Sequence, residues 1–309
     1  MNNWLGDFEW RDGKIRVRET GAELTINFAL IKEIAGWFPF YTLVKLKNLA
    51  LAFTKRPNTK IAFLPSPARP WYLLPFLINA ARFRRVKSPE NADVLIYFED
   101  QTLAASPQYP PDFTGKTMNF ACINISKSHV SEVFKQVFGY GIAVDPLSYT
   151  GLIAVKSEKN GAHDGFTVQG PIHKNDYNPN LVYQKLIDNK IDENLVEDLR
   201  CPTVGGEIGL IFVKHRPSQN RFANFNSRVL LARPEDHLSA TERDNLRKFA
   251  KVMRLDFGGM DVLRDRADGR IYVVDVNKTD MGPPIALPLK DKFRATNILI
   301  SQLKAFFDV

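Results

Sequence analysis

Two short apolar runs near the C-terminus carry acids that an ordinary buried strand would exclude, and a tight turn separates them. Asp261-Val262-Leu263-Arg264-Asp265 and Ile271-Tyr272-Val273-Val274-Asp275-Val276-Asn277 flank Arg266-Ala267-Asp268-Gly269-Arg270, whose Asp-Gly pair signals a hairpin. With the pairing centred on Asp268, Asp265 opposes Ile271 and Asp261 opposes Asp275, and alternation puts Asn277 on the same face. Opposed residues bring their Cβ atoms to about 5 Å, and two carboxylates at that separation repel unless a cation or a proton lies between them. Magnesium meets that need with oxygen ligands, from carboxylates, an amide and phosphate. The residues also admit two acids that cap strand ends in water. Asp275 follows four apolar residues, and a carboxylate in such a run needs a partner, which favours the metal.

The rest of the chain is long enough to support such a hairpin. Its 309 residues, 44% hydrophobic and 25% charged, can bury a core and divide into two or three lobes. No stretch of 18 apolar residues runs free of charge, and the opening Met1-Asn2-Asn3-Trp4-Leu5-Gly6-Asp7 lacks a signal-peptide pattern, so a cytoplasmic protein is expected. Cys122 and Cys201 have no metal-ligand spacing, which argues against zinc and disulfides; Cys122 reads as a buried thiol. The net charge of +8 suits a partner with phosphates or carboxylates. The run Arg82-Phe83-Arg84-Arg85-Val86-Lys87 lacks any nucleic-acid-reading pattern and reads as a solvated face, so no nucleic-acid partner is expected.

Residues 27–53 are mostly apolar and aromatic, and Pro39 predicts a break into two helices packed on the core. Trp37, Phe38, Phe40 and Tyr41 beside lysines also permit an interfacial membrane helix, the less common arrangement. Strand-like residues 60–65 and 92–98 flank a helical stretch at 71–82, which predicts a small α/β lobe closed by the Pro-rich stretch 106–113. A second lobe starts with a strand near Met118 and a helix at 128–138 that Gly139-Tyr140-Gly141 stops. Strands at 151–158 and 165–169 follow, around the polar loop 159–164. A third lobe, from about Glu197, holds strands within 203–213, a helix at 239–253, the hairpin and a closing helix. The expected divisions are 1–115, 116–190 and 191–309.

The segment Gly258-Gly259-Met260-Asp261-Val262-Leu263-Arg264 followed by Gly269-Arg270-Ile271-Tyr272-Val273-Val274-Asp275-Val276-Asn277 resembles the C-terminal signature of ATP-grasp enzymes, among them the D-alanyl-D-alanine ligases and the ribosomal-protein glutamate ligases. The resemblance implies an α/β chain of the α+β ATP-grasp type: an N-terminal α/β lobe, then two ATP-grasp subdomains that sandwich ATP. It assigns two magnesium ions, with manganese as a substitute, to Asp261, Asp275 and Asn277. Earlier segments fall in the family's order from about Met118 to Leu289. Lys127 and Lys156 resemble the two phosphate-contacting lysines, with 160–165 as the small-residue flap. Val182-Tyr183-Gln184-Lys185-Leu186-Ile187 resembles the strand that holds adenine, with backbone groups of Lys185 to Ile187 reading the base and Gln184 beside it. Asp188, Asp192 and Glu193 compete for the ribose, with Glu193 preferred.

Asp198-Leu199-Arg200 and Val204-Gly205-Gly206-Glu207 resemble the aspartate-x-arginine strand and turn of the glutamate-ligase branch. Lys214-His215-Arg216 and Asn224-Phe225-Asn226-Ser227-Arg228 occupy the stretch that there faces phosphate and acceptor. Gly259 stands where the D-alanyl ligases carry an arginine, which leaves Arg216 or Arg228 to supply that charge, with Lys214 beside them. Asn277 is followed by Lys278-Thr279-Asp280-Met281-Gly282-Pro283 in place of a short Ser-Pro-Gly turn. Residues 1–115 match no family. The implied activity is an ADP-forming carboxylate-amine ligase with small-molecule or peptide substrates. Phosphotransfer without ligation, or a non-catalytic nucleotide-binding or membrane-associated protein, are the alternatives; a homodimer is compatible with either. His163 and His215 lie where they could touch substrate, although solvated loop histidines fit as well.

Overall fold

The computed structural model describes residues 8–11, 14–17, 23–25, 28–51, 53–54, 56–65, 69, 71–108, 110–162, 164–222 and 226–308. His163, Asn224 and Phe225 lie outside the described residues. The chain opens with a small antiparallel sheet of β1 (Phe8–Arg11), β2 (Lys14–Val17) and β3 (Glu23–Thr25). Residues Phe28–Ala50 then form one helix, α1, with Pro39 inside it, rather than the two helices expected from that proline. Packing on both sides of Pro39 explains the difference. Trp37 stacks on Tyr41 at 4.9 Å, and Phe40 meets Phe76 at 5.2 Å and Phe293 at 5.1 Å, so both halves are held on one surface.

The first lobe is a parallel sheet in the order β5 (Arg84–Arg85), β4 (Lys60–Leu64), β6 (Val94–Tyr97), β7 (Lys116–Met118), with α2 (Leu73–Ala80) as the crossover helix. The strand near Met118 therefore completes this sheet, whereas the sequence had suggested that it opens the second lobe. Next comes α3 (Lys127–Phe138), which Ser126 caps by accepting the His129 N–H at 3.4 Å and Gly139 stops with φ of 77°. The strands β8 (Leu152–Ser157), β9 (Phe166–Gln169) and β10 (Leu181–Lys185) make a separate antiparallel sheet, with β8 central, on Ile153, Val155 and Tyr183.

Five antiparallel strands form the largest sheet, in the order β13 (Arg228–Ala232), β12 (Ile211–Pro217), β11 (Leu195–Val204), β14 (Phe257–Arg264), β15 (Ile271–Asn277). The stretch expected as strands from 203 to 213 is broken at Gly205 and Gly206, whose φ values of 61° and 85° turn the chain back. After the short α4 (Pro234–His237), helix α5 (Ala240–Val252) begins with a capping box between Ser239 and Glu242. Helices α3 and α5 cover one face of the sheet, over Leu199, Cys201, Val213, Met260 and Val262. The C-terminal helix α6 (Leu289–Phe307) and the first lobe cover part of the other face, over Phe212, Val229 and Phe257. The uncovered end of that second face carries the charged residues. Cys122 is buried, as the sequence reading expected, and Cys201 is buried too.

Candidate active site

The hairpin places Asp261 opposite Asp275, and Gly259 opposite Asn277. The route to that register differs from the expected one. Nearer the turn Arg264 opposes Ile271 and Val262 opposes Val273, one step off the pairing centred on Asp268. An irregularity between Asp261 and Val262 leaves Val274 as the extra residue, and beyond it the two acids face each other. A regular ladder would have set Val274 against Asp261 and turned Asp275 into the core. A bulge re-aims side chains in this way, and here it delivers Asp275 and Asn277 to the charged face.

Asp261 is held by cations. Arg200 Nη1 lies 2.9 Å from Oδ2 and Lys214 Nζ 3.5 Å from Oδ1. Burial opposes its ionisation, but Arg200, Lys214 and Arg216 outweigh burial and hold the carboxyl well below the usual range. Asp275 is in the opposite condition. Burial raises its pKa, Lys127 and Lys156 counteract, and Asp261 adds repulsion. Its Oδ1 is buried without a hydrogen-bond partner. Such an atom costs stability unless a cation or donor reaches it. Asn277 Oδ1 accepts the Thr279 N–H at 2.8 Å and the Thr279 hydroxyl at 3.1 Å, which fixes the amide orientation. Among the described residues no group of three His, Cys, Asp or Glu could hold a metal. The protein would thus offer two carboxylates and an amide oxygen, a donor set that fits magnesium with phosphate oxygens completing its shell.

Two lysines face this hairpin. Lys156, on β8, donates to Gln184 Oε1 at 3.3 Å, and Gln184 Nε2 donates to Ser131 Oγ at 3.0 Å on α3. Burial lowers the Lys156 pKa, with Asp275 opposing. Lys127, at the start of α3, donates to the Lys159 carbonyl at 2.8 Å and so ties the helix to the loop above it. That loop also meets the first lobe, where Thr102 Oγ1 accepts the Asn160 N–H at 2.8 Å. Lys185 reaches Tyr272 Oη at 2.6 Å and Asp265 Oδ2 at 3.2 Å, so its side chain links β10 to the hairpin. The Ile187 carbonyl accepts from Arg221 Nη2 at 2.8 Å. Asp188, Asp192 and Glu193 line one open cavity of about 420 Å³ with Lys190, Ile191 and Arg266. Asp192 Oδ1 already accepts the Asn194 and Leu195 N–H groups at 2.7 and 2.8 Å, a turn role.

Among the candidate phosphate cations, Lys214 and Arg216 share the face of Asp261. Arg216 Nη2 pairs with Asp198 Oδ2 at 2.7 Å. Arg228 is not brought to this group. It pairs across the strands with His215, and both residues lie on the face opposite to Lys214, where His215 Nε2 meets Glu197 at 3.0 Å. Arg200 stands at the site instead. Its guanidinium occupies the space above Gly259, where an added Cβ would lie 2.3 Å from Nε. The sequence contained the signal, an arginine two residues after Asp198 and a glycine at 259, but not the pairing that joins them. Asp280, the other partner of Arg200 at 2.8 Å, had no signal beyond the unusual segment after Asn277.

A parallel-sheet lobe is followed by two antiparallel sheets, and Lys156 on one of them faces the opposed acids on the other, an α+β architecture. No protein-family model matches the chain, and no curated protein matches it. Solved structures do. The ATP-grasp ligase PsnB complexed with precursor peptide PsnA2 and AMPPNP is 13% identical, over 81% of this chain and 99% of that one, with a TM-score of 0.51. PsnB complexed with minimal precursor, Mg and ADP is 14% identical, over 81% and 100%, also with a TM-score of 0.51. The chain has the ATP-grasp fold.

Proposed function

We propose that this protein is an ATP- and magnesium-dependent ligase that joins a carboxylate to an amine, with ADP and phosphate as products. The observation that carries the reading is the partnerless Oδ1 of Asp275, opposite Asp261 and faced by Lys127 and Lys156. Magnesium bound to Asp261, Asp275 and Asn277 would neutralise phosphate charge and polarise the transferring group. Lys127 and Lys156 bind the triphosphate. Arg200 and Lys214 neutralise charge on the phosphoryl group in transfer, and Arg216 is held beside them by Asp198.

In the first step a carboxylate oxygen attacks the γ-phosphorus and ADP departs. In the second the amine nitrogen attacks the acyl carbon, phosphate departs, and one proton is released. The chain's contribution is positioning and charge, and no nucleophilic side chain is required. With the first boundary moved from 115 to Met118 to take in β7, the divisions then correspond to a substrate-side lobe and two subdomains around the nucleotide. Glu193 is the candidate for the ribose, with Asp192 already committed to its turn. PsnB is complexed with a precursor peptide in one structure and with a minimal precursor in another, which supports a peptide or small-molecule substrate here.

ADP release screened against pools of carboxylates and amines, with product masses read out, tests the proposal. An amide product that requires both substrates supports it. ADP release with a phosphorylated single substrate would replace it with phosphotransfer, and nucleotide binding without any turnover would replace it with a non-catalytic role.

A further inference from the structure

The excess positive charge of the chain has one location. Between Ile34 and Pro89 there are ten Lys and Arg residues and no Asp or Glu. The whole chain has 42 basic and 34 acidic residues, so the remainder has 32 against 34. This same stretch carries the largest exposed apolar side chains on a single helix.

Helix α1 is apolar on two sides. Trp37, Phe40, Tyr41 and Val44 turn inward, and Asn48 Nδ2 donates to the Asn79 carbonyl at 2.9 Å. Phe38, Leu46 and Leu49 are 67%, 55% and 70% exposed, and Phe53, in the turn that follows, is fully exposed. At 3.6 residues per turn Phe38, Leu46 and Leu49 fall within an arc of roughly 80°. Lys45 and Lys47 lie on the two borders between the buried and the exposed apolar faces. Arg82 Nη1 reaches Thr54 Oγ1 at 2.5 Å, which sets a cation beside Phe53, and the exposed Arg84 follows it. No helix among the described residues is long and apolar enough to cross a membrane.

We infer that this face of α1 docks on an anionic lipid surface, with Phe38, Leu46, Leu49 and Phe53 entering the headgroup boundary and Lys45, Lys47, Arg82 and Arg84 meeting the lipid phosphates. Apolar burial and headgroup attraction act together in such binding. A nucleic acid would meet the cations but gain little from two leucines. A second copy would bring two strongly basic, acid-free faces together. The face lies on the helix side of the first lobe and is independent of the ligase reading.

The test is co-sedimentation of the full chain with phosphatidylcholine vesicles, with and without phosphatidylglycerol. Wild type is expected to partition onto the anionic vesicles and to release as salt rises. Lys45→Gln and Lys47→Gln should each weaken partitioning about fivefold. Leu46→Gln with Leu49→Gln should weaken it by at least about tenfold, with the melting temperature and nucleotide binding of wild type retained because both side chains are exposed. Absence of binding, equal binding to uncharged vesicles, or indifference to the leucine pair would overturn the inference. So would tighter binding to duplex DNA than to vesicles, or a dimer in sedimentation equilibrium that the leucine pair dissociates.

Discussion

Asp280 holds Arg200 by two hydrogen bonds, from Nε at 3.2 Å and Nη2 at 2.8 Å, and the remaining arm of the guanidinium, Nη1, meets Asp261 at 2.9 Å. The arginine is thereby fixed between the segment after Asn277 and the strand that carries Asp261. Asp280 is itself anchored to the first lobe, since its carbonyl accepts the Leu73 N–H at 2.8 Å.

This arrangement depends on Gly259. An added Cβ would lie 2.3 Å from Arg200 Nε and 2.5 Å from Asp280 Oδ2. A free arginine head would swing aside cheaply, but this one is pinned at both ends. Gly259→Ala is expected to cost about 1 to 3 kcal/mol and to lower kcat more than it raises the KM for ATP. Thermal melting and steady-state kinetics measure both; an unchanged melting temperature with full turnover would contradict the packing argument.

Asp280→Ala removes one of the two carboxylates of a buried arginine. The loss is expected near the low end for a broken buried pair, about 3 kcal/mol, because Asp261 remains. Urea melts measure it, and Asp280→Glu should recover only part of the stability in so confined a site.

The two opposed aspartates should respond oppositely to neutralisation in the absence of metal. Asp261→Asn takes a counter-charge from Arg200 and Lys214 and should destabilise. Asp275→Asn removes a buried charge whose Oδ1 has no partner, and should melt no lower than wild type. Both variants should lose the added stability that magnesium with ATP confers. That stabilisation is about 2.7 kcal/mol at a hundred times the dissociation constant. A metal-independent fall in the Asp275→Asn melting temperature would contradict the metal assignment.

The same contrast has a pH signature. The Asp261 carboxyl lies below its ordinary range, so its stabilisation is complete above the unfolded-state value of about 4 and is lost as acid approaches the folded value. The stability gap between wild type and Asp261→Asn should therefore close on acidification. The Asp275 carboxyl is raised, chiefly by burial. Wild type carries that penalty above the raised value, so any advantage of Asp275→Asn should be largest at neutral pH and shrink as pH falls towards about 4. Urea melts across pH read both gaps.

Lys156→Met should weaken ADP binding and turnover, and Gln184→Met should do so less, since Gln184 acts through Lys156 Nζ at 3.3 Å. Arg228→Ala should leave turnover close to wild type, because the register sets Arg228 with His215 on the other face of the sheet. Calorimetry and ADP-release rates separate these cases, and an Arg228→Ala loss as large as that of Lys156→Met would contradict the register argument.

The hairpin was legible in the sequence because its determinants are local. Asp-Gly makes the turn, and acids placed within apolar runs mark the opposed positions 261 and 275. Helix α5 was expected at 239–253, and its start is likewise local, a capping box between Ser239 and Glu242. Pro39 misled because propensity describes an isolated helix, and in the folded chain Trp37, Phe40 and Val44 hold both halves of α1 on one surface. Which strand pairs with which is a long-range matter, so β7 joined the first sheet although its position along the chain suggested the second lobe.

The sequence by itself determined the hairpin that carries Asp261 and Asp275, the succession of lobes along the chain and the concentration of positive charge between Ile34 and Pro89. Only the tertiary structure decided the unpaired Val274 that turns Asp275 to the site, the face to which Arg228 is turned, and the choice of Arg200 as the cation above Gly259. The physical reason is separation. Turn chemistry and burial pattern act within a few residues, whereas Arg200, Gly259 and Asp280 meet only after β11, β14 and the segment beyond β15 have packed, and no local preference encodes that meeting.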